Sequence, residues 1–292
     1  MNFSLDQLLA FVTSVEKGSY KQAAIALGKH ATTVSQQVAA LEIDSNLLLF
    51  ERKVRKLELT QQGAELYQYA KPVLVEAGQL AMKVEALSAQ EPGELKLAFG
   101  STIRDRQLVR CAKEVLKRYP TIDLSIRSGD PLQILEWVAD DQVHLGIITT
   151  LFGNYPGIDS VQMYNFELAY IGPPDWVKPD QKVDPAMLRA LPQIVYRYVL
   201  QSPQMQGHMQ SNHSIEVQSL EDLVDMVSLG LGWAIVPAYR VVDALEQQDV
   251  VAFQIQGANT VNWFCEAVFK SGQQLNPAAQ AFMEQVQKLP DR

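Results

Sequence analysis

Residues 30–42 read HATTVSQQVAALE, and this stretch decides the fold of the N-terminal part of the chain. Val34, Val38 and Leu41 recur at i, i+4 and i+7, which lays one apolar stripe along a helix. At about 100° per residue, Thr32, Gln36 and Ala39 point the opposite way, with Thr33, Ser35 and Ala40 beside them. That outer face is small, polar and uncharged. Upstream, SLDQLLAFVTSVEKGSY (4–20) places Leu5, Leu8, Leu9, Phe11, Val12 and Val15 at helical spacing, with Ser4 as N-cap and Gly18 as stop. In GSYKQAAIALG (18–28), Ser19 and Gln22 form an S-x-x-Q capping box, Ala23 and Ala24 permit a close helix crossing, and Gly28 ends the turn. Two short helices joined by a glycine turn, the second with a compact hydrogen-bonding face, predict a helix-turn-helix.

Downstream, LLLFERKVRKLELTQQG (47–63) sets Arg52, Lys53, Arg55 and Lys56 in an apolar frame of Leu49, Phe50, Val54, Leu57 and Leu59. The alternation over 54–59 predicts a short hairpin, or wing, beside the helix pair. A run of charge is ordinarily a solvated face. Next to a helix-turn-helix we read it as phosphate contacts, which supply most sequence-independent affinity for DNA. Thr32, Thr33, Ser35 and Gln36 are then the candidates for reading base edges, Gln36 toward adenine and the threonine methyls toward thymine.

FVTSVEKGSYKQAAIALGKHATTVSQQVAALE (11–42), followed by the 47–63 segment, resembles the LysR-type transcriptional regulators. The resemblance implies a winged helix-turn-helix, a long dimerisation helix and a C-terminal two-lobed α/β effector domain similar to periplasmic binding proteins. Three positions depart from the family pattern: His30 stands where a capping Ser is common, Thr32 where Pro is common, and Asn46 where Gly is usual. Asn tolerates the left-handed backbone, so the last change is mild. Loss of a Ser N-cap weakens a helix start by about 1 kcal/mol.

From residue 63 to 89, Leu66, Ala70, Val73, Ala77, Leu80, Val84 and Leu87 step alternately by four and three, which is a heptad seam. It either packs on the chain's own C-terminal part or joins two heads, and pairing is the expectation, with two heads reading the half-sites of an inverted repeat. Pro72 should bend this helix, and QEPGE (90–94) ends it.

The remainder alternates strand and helix, predicting parallel α/β layers in two lobes, about 93–161 with 268–292, and about 162–267, crossed by strands near 161–168 and 261–268. RYPTIDLSI, VHLGIITT and LEDLVDMVSLGLGWAIVP again resemble the LysR effector domain, with His144 where Asp is typical. Ligands in such folds lie at strand carboxyl ends and lobe junctions. The candidates are Ser101 and Thr102 after the first strand and opening a helix, Ser128 after the second, Thr149 and Thr150 after the third, and Tyr196 with Arg197 on a strand of the other lobe. The resemblance places Ser101, Thr102 and Ser128 at positions that commonly hydrogen-bond effectors. Simple capping is the plainer role for the first two. Arg197 would grip a carboxylate if it faced the cleft, and is otherwise a surface arginine.

These readings divide the chain at 1–62, 63–89 and 93–292. Net charge is −8, but residues 1–62 hold seven Lys/Arg against six Asp/Glu while the rest holds 18 against 27, so an acidic body carries a nearly neutral head. No apolar run approaches the roughly 20 residues that span a bilayer, and no export signal opens the chain, so a cytoplasmic protein with no membrane partner is expected. Cys111 and Cys265 are far apart and form no CxxC. The chain has no GxSxG, Walker-type phosphate loop, GxGxxG after a strand, or HExxH, and its four histidines are scattered at 30, 144, 208 and 213. An enzyme is therefore not expected, nor any cofactor or metal. A solute-binding protein would share the C-terminal part but leaves the first sixty residues unexplained. The expected partners are promoter DNA, a small-molecule effector, anionic if Arg197 faces the cleft, a second copy of the chain in a dimer or tetramer, and RNA polymerase if the protein activates.

Overall fold

The computed structural model describes residues 3–51, 57–257 and 262–292, in two compact units, 1–89 and 90–292. The four wing cations Arg52, Lys53, Arg55 and Lys56 lie outside the described residues.

In the first unit, α1 (Leu5–Lys17) starts at a full capping box between Ser4 and Gln7 and stops at Gly18, whose φ of 70° suits glycine. Ser19 supplies its half of the expected second box by accepting from the Gln22 N–H, opening α2 (Tyr20–Leu27). The third helix, α3 (Ala31–Ser45), starts at His30 without a side-chain cap and ends at Asn46 in the left-handed region, φ 54°. Phe11, Ala23, Val34, Val38 and Leu41 are fully buried in one core with Leu49 and Phe50. Glu42, on the inner side of α3, accepts from the backbone N–H groups of Leu49 (2.7 Å) and Phe50 (3.3 Å). An antiparallel bridge between Phe50 and Leu59 closes the base of the expected wing. The last helix of the unit, α4 (Gln61–Ser88), is capped by Thr60 and contains Pro72. It begins so close to that bridge that a Cβ on Gly63 would lie 2.1 Å from the Leu49 carbonyl oxygen.

In the second unit, β1 (Glu94–Gly100), β2 (Asp123–Gly129) and β3 (Leu145–Thr149) are parallel, with α5 (Arg106–Arg118) and α6 (Pro131–Ala139) as crossovers. The long β4 (Ile158–Gly172) leads into the second lobe. There β5 (Lys182–Val183), α7 (Pro185–Ala190), β6 (Gln193–Tyr196), α8 (Arg197–Gln201), β7 (Ser214–Val217), α9 (Leu220–Ser228), β8 (Trp233–Pro237), α10 (Val242–Glu246) and β9 (Val251–Ile255) follow. The chain returns through β10 (Asn262–Lys270) and closes with α11 (Pro277–Gln287) on the first lobe, where Phe282 stacks on Phe99. Sheet order is β2-β1-β3-β10-β4-β8-β6-β7, with β9 also on β4.

Both strands that cross between lobes run antiparallel to their neighbours, so each lobe is a mixed sheet rather than the purely parallel layer expected. Three smaller corrections bear on the site. The first crossover helix begins at Arg106, not at Ser101, because Asp105 is the better cap and accepts from the N–H groups of Gln107 (2.9 Å) and Leu108 (3.0 Å). Residues 101–104 form a turn whose N–H groups are partly spent, Ser101 on Gly129 and Arg104 on Gly100. Finally, β6 ends at Tyr196, and Arg197 opens the five-residue helix α8 instead of continuing the strand.

Candidate DNA-reading face and effector cleft

With Val34, Val38 and Leu41 locked inside, α3 presents Thr32, Thr33, Gln36 and Ala39 to solvent. Ser35 is half-buried, and its hydroxyl donates back to the Thr32 carbonyl at 2.9 Å, so it offers an outside partner only an acceptor. Lys29, just before this helix, is paired with Asp6 at 3.2 Å. Among the described residues, the exposed outer side of α3 at Thr32, Thr33, Gln36 and Ala39 carries no charged side chain of its own.

The seam on α4 divides. Leu66 and Ala70 pack into the head's own core with Tyr67 and Leu74, and Tyr67 and Lys71 both donate to Glu16 near the end of α1, at 3.1 and 2.7 Å. The expectation that all seven seam residues face a partner is corrected for these two, because the head covers the first turns of α4. Farther along, Val73, Leu80, Val84 and Leu87 are 46, 66, 53 and 66% exposed, with Ala77 half-buried.

In the second unit, the turn after β1 meets the second lobe. Ser101 Oγ donates to the Gln218 carbonyl (3.2 Å), Tyr239 OH to the Ile103 carbonyl (3.1 Å) and Arg240 Nε to the Thr102 carbonyl (3.3 Å). Beside this clasp opens a cleft of about 470 Å³, lined by Ser101, Arg104, Asp105, Arg106 and Ser128 of one lobe and Ser219, Glu221 and Arg240 of the other. Arg104 donates to Ser128 Oγ at 3.2 Å. Asp105 is held by Arg292, whose guanidinium lies over the rings of Tyr164 and Tyr239, and Glu221 stands 3.9 Å from Arg240. Three guanidinium groups against two carboxylates, one of them already paired with Arg292, leave the cleft suited to an anion.

Of the predicted effector residues, the structure brings Ser101 and Ser128 together in this cleft. Thr102 and Thr149 are buried behind it, their hydroxyls 3.0 Å apart. Thr150 turns away to donate to buried Glu266 (3.0 Å), which also accepts from Tyr155 OH at 3.1 Å. Tyr196 lies deeper, in a largely apolar chamber that Thr149 and Gln193 also line, where burial pushes its hydroxyl well above the usual phenol range. Arg197 does not line the cleft; its side chain is 45% exposed, 3.8 Å from Glu216. Sequence reasoning missed Arg104 and Arg240. Arg240 stands three residues beyond the end of β8, so the strand-end rule that named the other candidates could have found it.

His144 sits away from the cleft. Its Nδ1 accepts from the Lys96 N–H (3.1 Å) and lies 3.2 Å from the Asn276 amide, the residue that caps α11. Burial lowers its pKa. Cys111 and Cys265 are buried and unpaired, and burial pushes both thiols up, Cys265 to about 12.

Residues 5–64 match the family model described as bacterial regulatory helix-turn-helix protein, lysR family, and residues 88–290 match the LysR substrate binding domain. The chain belongs to the LysR family. Among curated relatives of this LysR-family chain, the uncharacterized HTH-type transcriptional regulator YfiE of Escherichia coli is 23% identical, over 97% of this chain and 98% of that protein. A probable hydrogen peroxide-inducible genes activator of Streptomyces viridosporus is 30% identical, over 58% of this chain and 54% of that protein. Among solved structures, full-length CbnR complexed with its target DNA has a TM-score of 0.53 at 23% identity, covering 98% of this chain and all of that one. A full-length OxyR variant from Pseudomonas aeruginosa has a TM-score of 0.54 at 19% identity, covering 97% of this chain and 99% of that one. This LysR-family chain is thus a DNA-binding transcriptional regulator with an effector-binding domain, of a family that acts as oligomers and not as enzymes. Among the described residues, no helix is long and apolar enough to cross a membrane, and no cluster of three or more His, Cys, Asp or Glu could hold a metal.

Proposed function

We propose that the protein regulates a promoter as a dimer, reading an inverted repeat with two copies of α3 and responding to a small anion in the cleft between the lobes of 93–292. The observation that carries the effector reading is the placement of Arg104 and Arg240 on opposite walls of one 470 Å³ cleft, with Ser101, Ser128 and Ser219 between them. Bidentate guanidinium contacts and hydroxyl donors are the chemistry that recognises carboxylate or phosphate. Arg197, exposed beside Glu216, has no part in this reading.

At the head, Gln36, Thr32 and Thr33 discriminate bases, and Arg52, Lys53, Arg55 and Lys56 hold phosphates. The exposed stripe Val73, Leu80, Val84 and Leu87 supports pairing through α4. If the protein activates transcription, RNA polymerase is a further partner. The Streptomyces relative is named for induction by hydrogen peroxide, but the cysteines of this chain do not favour a thiol-based response. Both are buried with raised pKa, which disfavours the thiolate that reacts with oxidants.

Calorimetric titration with inorganic phosphate and citrate tests the effector site. Saturable binding, weakened at least tenfold by Arg240→Ala or Arg104→Ala, is expected; binding unchanged in both variants would overturn the anion reading.

A further inference from the structure

The outer side of α5 (Arg106–Arg118) is opposite in charge to the body that carries it. Residues 63–292 hold 18 Lys/Arg against 27 Asp/Glu, yet α5 alone holds five, Arg106, Arg110, Lys113, Lys117 and Arg118, against one, Glu114. Leu108, Cys111, Ala112 and Val115 are buried and fix the inner side of the helix, which packs against α11. Arg106, Arg110, Lys113 and Lys117 step by four, three and four, so at about 100° per residue they fall in one line on the opposite side. All four are exposed.

The stability of α5 does not call for that line. Like charges three and four residues apart on a helix repel, and the line contains three such pairs: Arg106 with Arg110, Arg110 with Lys113, and Lys113 with Lys117. One compensating pair is present, Lys117 to Glu114 at 2.6 Å. Cations in the last turn suit the helix dipole, which accounts for Lys117 and Arg118, but Arg106 opens the helix, at the end where the dipole favours an acid. Among the described residues, no carboxylate pairs with Arg106, Arg110 or Lys113. Arg106 also borders the polar cleft, whereas Arg110, Lys113 and Lys117 line neither that cleft nor the Tyr196 chamber.

We propose that this side of α5 is a second contact with duplex DNA, holding backbone phosphates in addition to those held by the head. At 1.5 Å per residue the line of cations is about 16 Å long, beyond the reach of one small anion and suited to a polymer whose own charge repeats every few ångström. Duplex DNA is favoured over an acidic protein surface because a copy of this regulator at work already holds DNA, so the second contact forms within one complex at high effective concentration. The acidity of the rest of the body confines the contact to this face. Phosphate contacts carry no sequence information, so α5 adds affinity and leaves discrimination to α3.

Anisotropy titration of the full-length protein with a long random-sequence duplex, over a salt series, tests the proposal. Each phosphate contact contributes about 0.9 to the slope of log affinity against log salt, so Arg110→Ala with Lys113→Ala should flatten the slope by about two for each subunit engaged. Arg110→Lys with Lys113→Arg keeps both charges and should leave the slope as in the wild type. Lys178→Ala with Lys182→Ala removes as much charge from exposed sites of the second lobe and should also leave it unchanged. All these side chains are exposed, so the Tm of each variant should hold, and calorimetry checks that lost binding is not lost folding. A slope in the α5 alanine variant equal to that of the wild type would overturn the proposal, and so would equal flattening in the Lys178 and Lys182 variant, which would make the effect one of net charge. An unchanged slope with weakened self-association in sedimentation velocity would assign the face to a second copy of the chain instead of DNA. Flattening by Arg52→Ala with Arg55→Ala belongs to the wing, so failure at α5 with that response intact would leave the reading of the head standing.

Discussion

Replacing Leu80 by Ala separates the two roles that the heptad on α4 combines. Leu80 is 66% exposed in the single chain, and its neighbours on the stripe, Val84 and Leu87, are 53 and 66% exposed. Burying a whole leucine side chain contributes about 1.5–3 kcal/mol, so covering two-thirds of one contributes roughly 1–2 kcal/mol. A two-fold dimer buries the residue twice, which gives about 2–4 kcal/mol for the pair. The dimer dissociation constant should therefore rise roughly 30- to 700-fold in Leu80→Ala, with little change in the thermal unfolding of the head. Leu66→Ala is the paired control. Leu66 belongs to the same heptad but packs against the buried core of its own head, so its truncation should lower the head's Tm and leave the dimer constant within a few-fold. Sedimentation velocity over a concentration series, with differential scanning calorimetry alongside, reads both quantities. Equal dimer constants for Leu80→Ala and the wild type would refute pairing through this stripe. A dimer lost equally in both variants would refute the division of the helix at its first turns.

The remaining predictions concern the reading face, the base of the wing, and acid. Gln36→Ala should change the preferred operator sequence with little change in affinity for random duplex, whereas Arg52→Ala with Arg55→Ala should weaken all duplexes and flatten the salt dependence by about two phosphate contacts; a binding titration showing one uniform loss for both would sink that assignment. Gly63→Ala should destabilise the head strongly, since the new methyl would meet the Leu49 carbonyl at 2.1 Å, and a melting temperature equal to wild type would mean that α4 can shift to admit it. For His144 the folded pKa lies below the usual 6.5, chiefly through burial, so the unfolded chain takes up the proton first as pH falls. Stability contributed by the neutral ring is complete above about 6.5 and is lost as pH drops toward the folded pKa. Urea denaturation of His144→Asn between pH 7.5 and 5 should show a shallower acid loss than wild type, and parallel curves would remove His144 from the acid response.

How far such roles can be read in advance depends on how local their causes are. The helices of the head were legible because their starts and stops are written in adjacent residues: Ser4 with Gln7, Gly18, Ser19 and Asn46 all cap as their chemistry predicts. Most strands of the effector domain were legible for the same reason, since apolar runs bounded by glycine, proline and aspartate leave few alternatives, but that reading ran β6 on into Arg197 and found neither β5 nor β9. Heptad residues are different. Leu66 and Leu80 occupy the same periodic pattern, and only the presence of the head beside the first turns of α4 assigns one to a monomer core and leaves the other open to a partner. Arg197 and Arg240 differ in the same way. Each stands just past a strand of the second lobe, yet the helix α8 carries Arg197 out beside Glu216, while the turn after β8 brings Arg240 back to the Thr102 carbonyl.

The position of Arg240 has a mechanical consequence. One guanidinium both lines the polar cleft and donates across it to the turn that joins β1 to α5, and Arg104 at the end of that turn is itself spent on Ser128. On the proposed reading, an anion entering the cleft competes with the Thr102 carbonyl for Arg240 and with Ser128 for Arg104, and since the first of these contacts joins the two lobes, binding free energy would be drawn on to rearrange the clasp. On that reading ligand affinity and inter-lobe geometry would be linked through the same atoms, and by reciprocity a change in the clasp on operator binding would change the affinity for the anion by the same factor. Arg240→Lys probes this link, since it keeps the charge but loses the planar fork that serves Thr102 and a ligand together. We expect this variant to bind phosphate more weakly and to lose the dependence of phosphate affinity on whether operator DNA is bound. An operator effect as large as in the wild type would show that the coupling runs through other contacts, with Tyr239 and Ser101 the next to test.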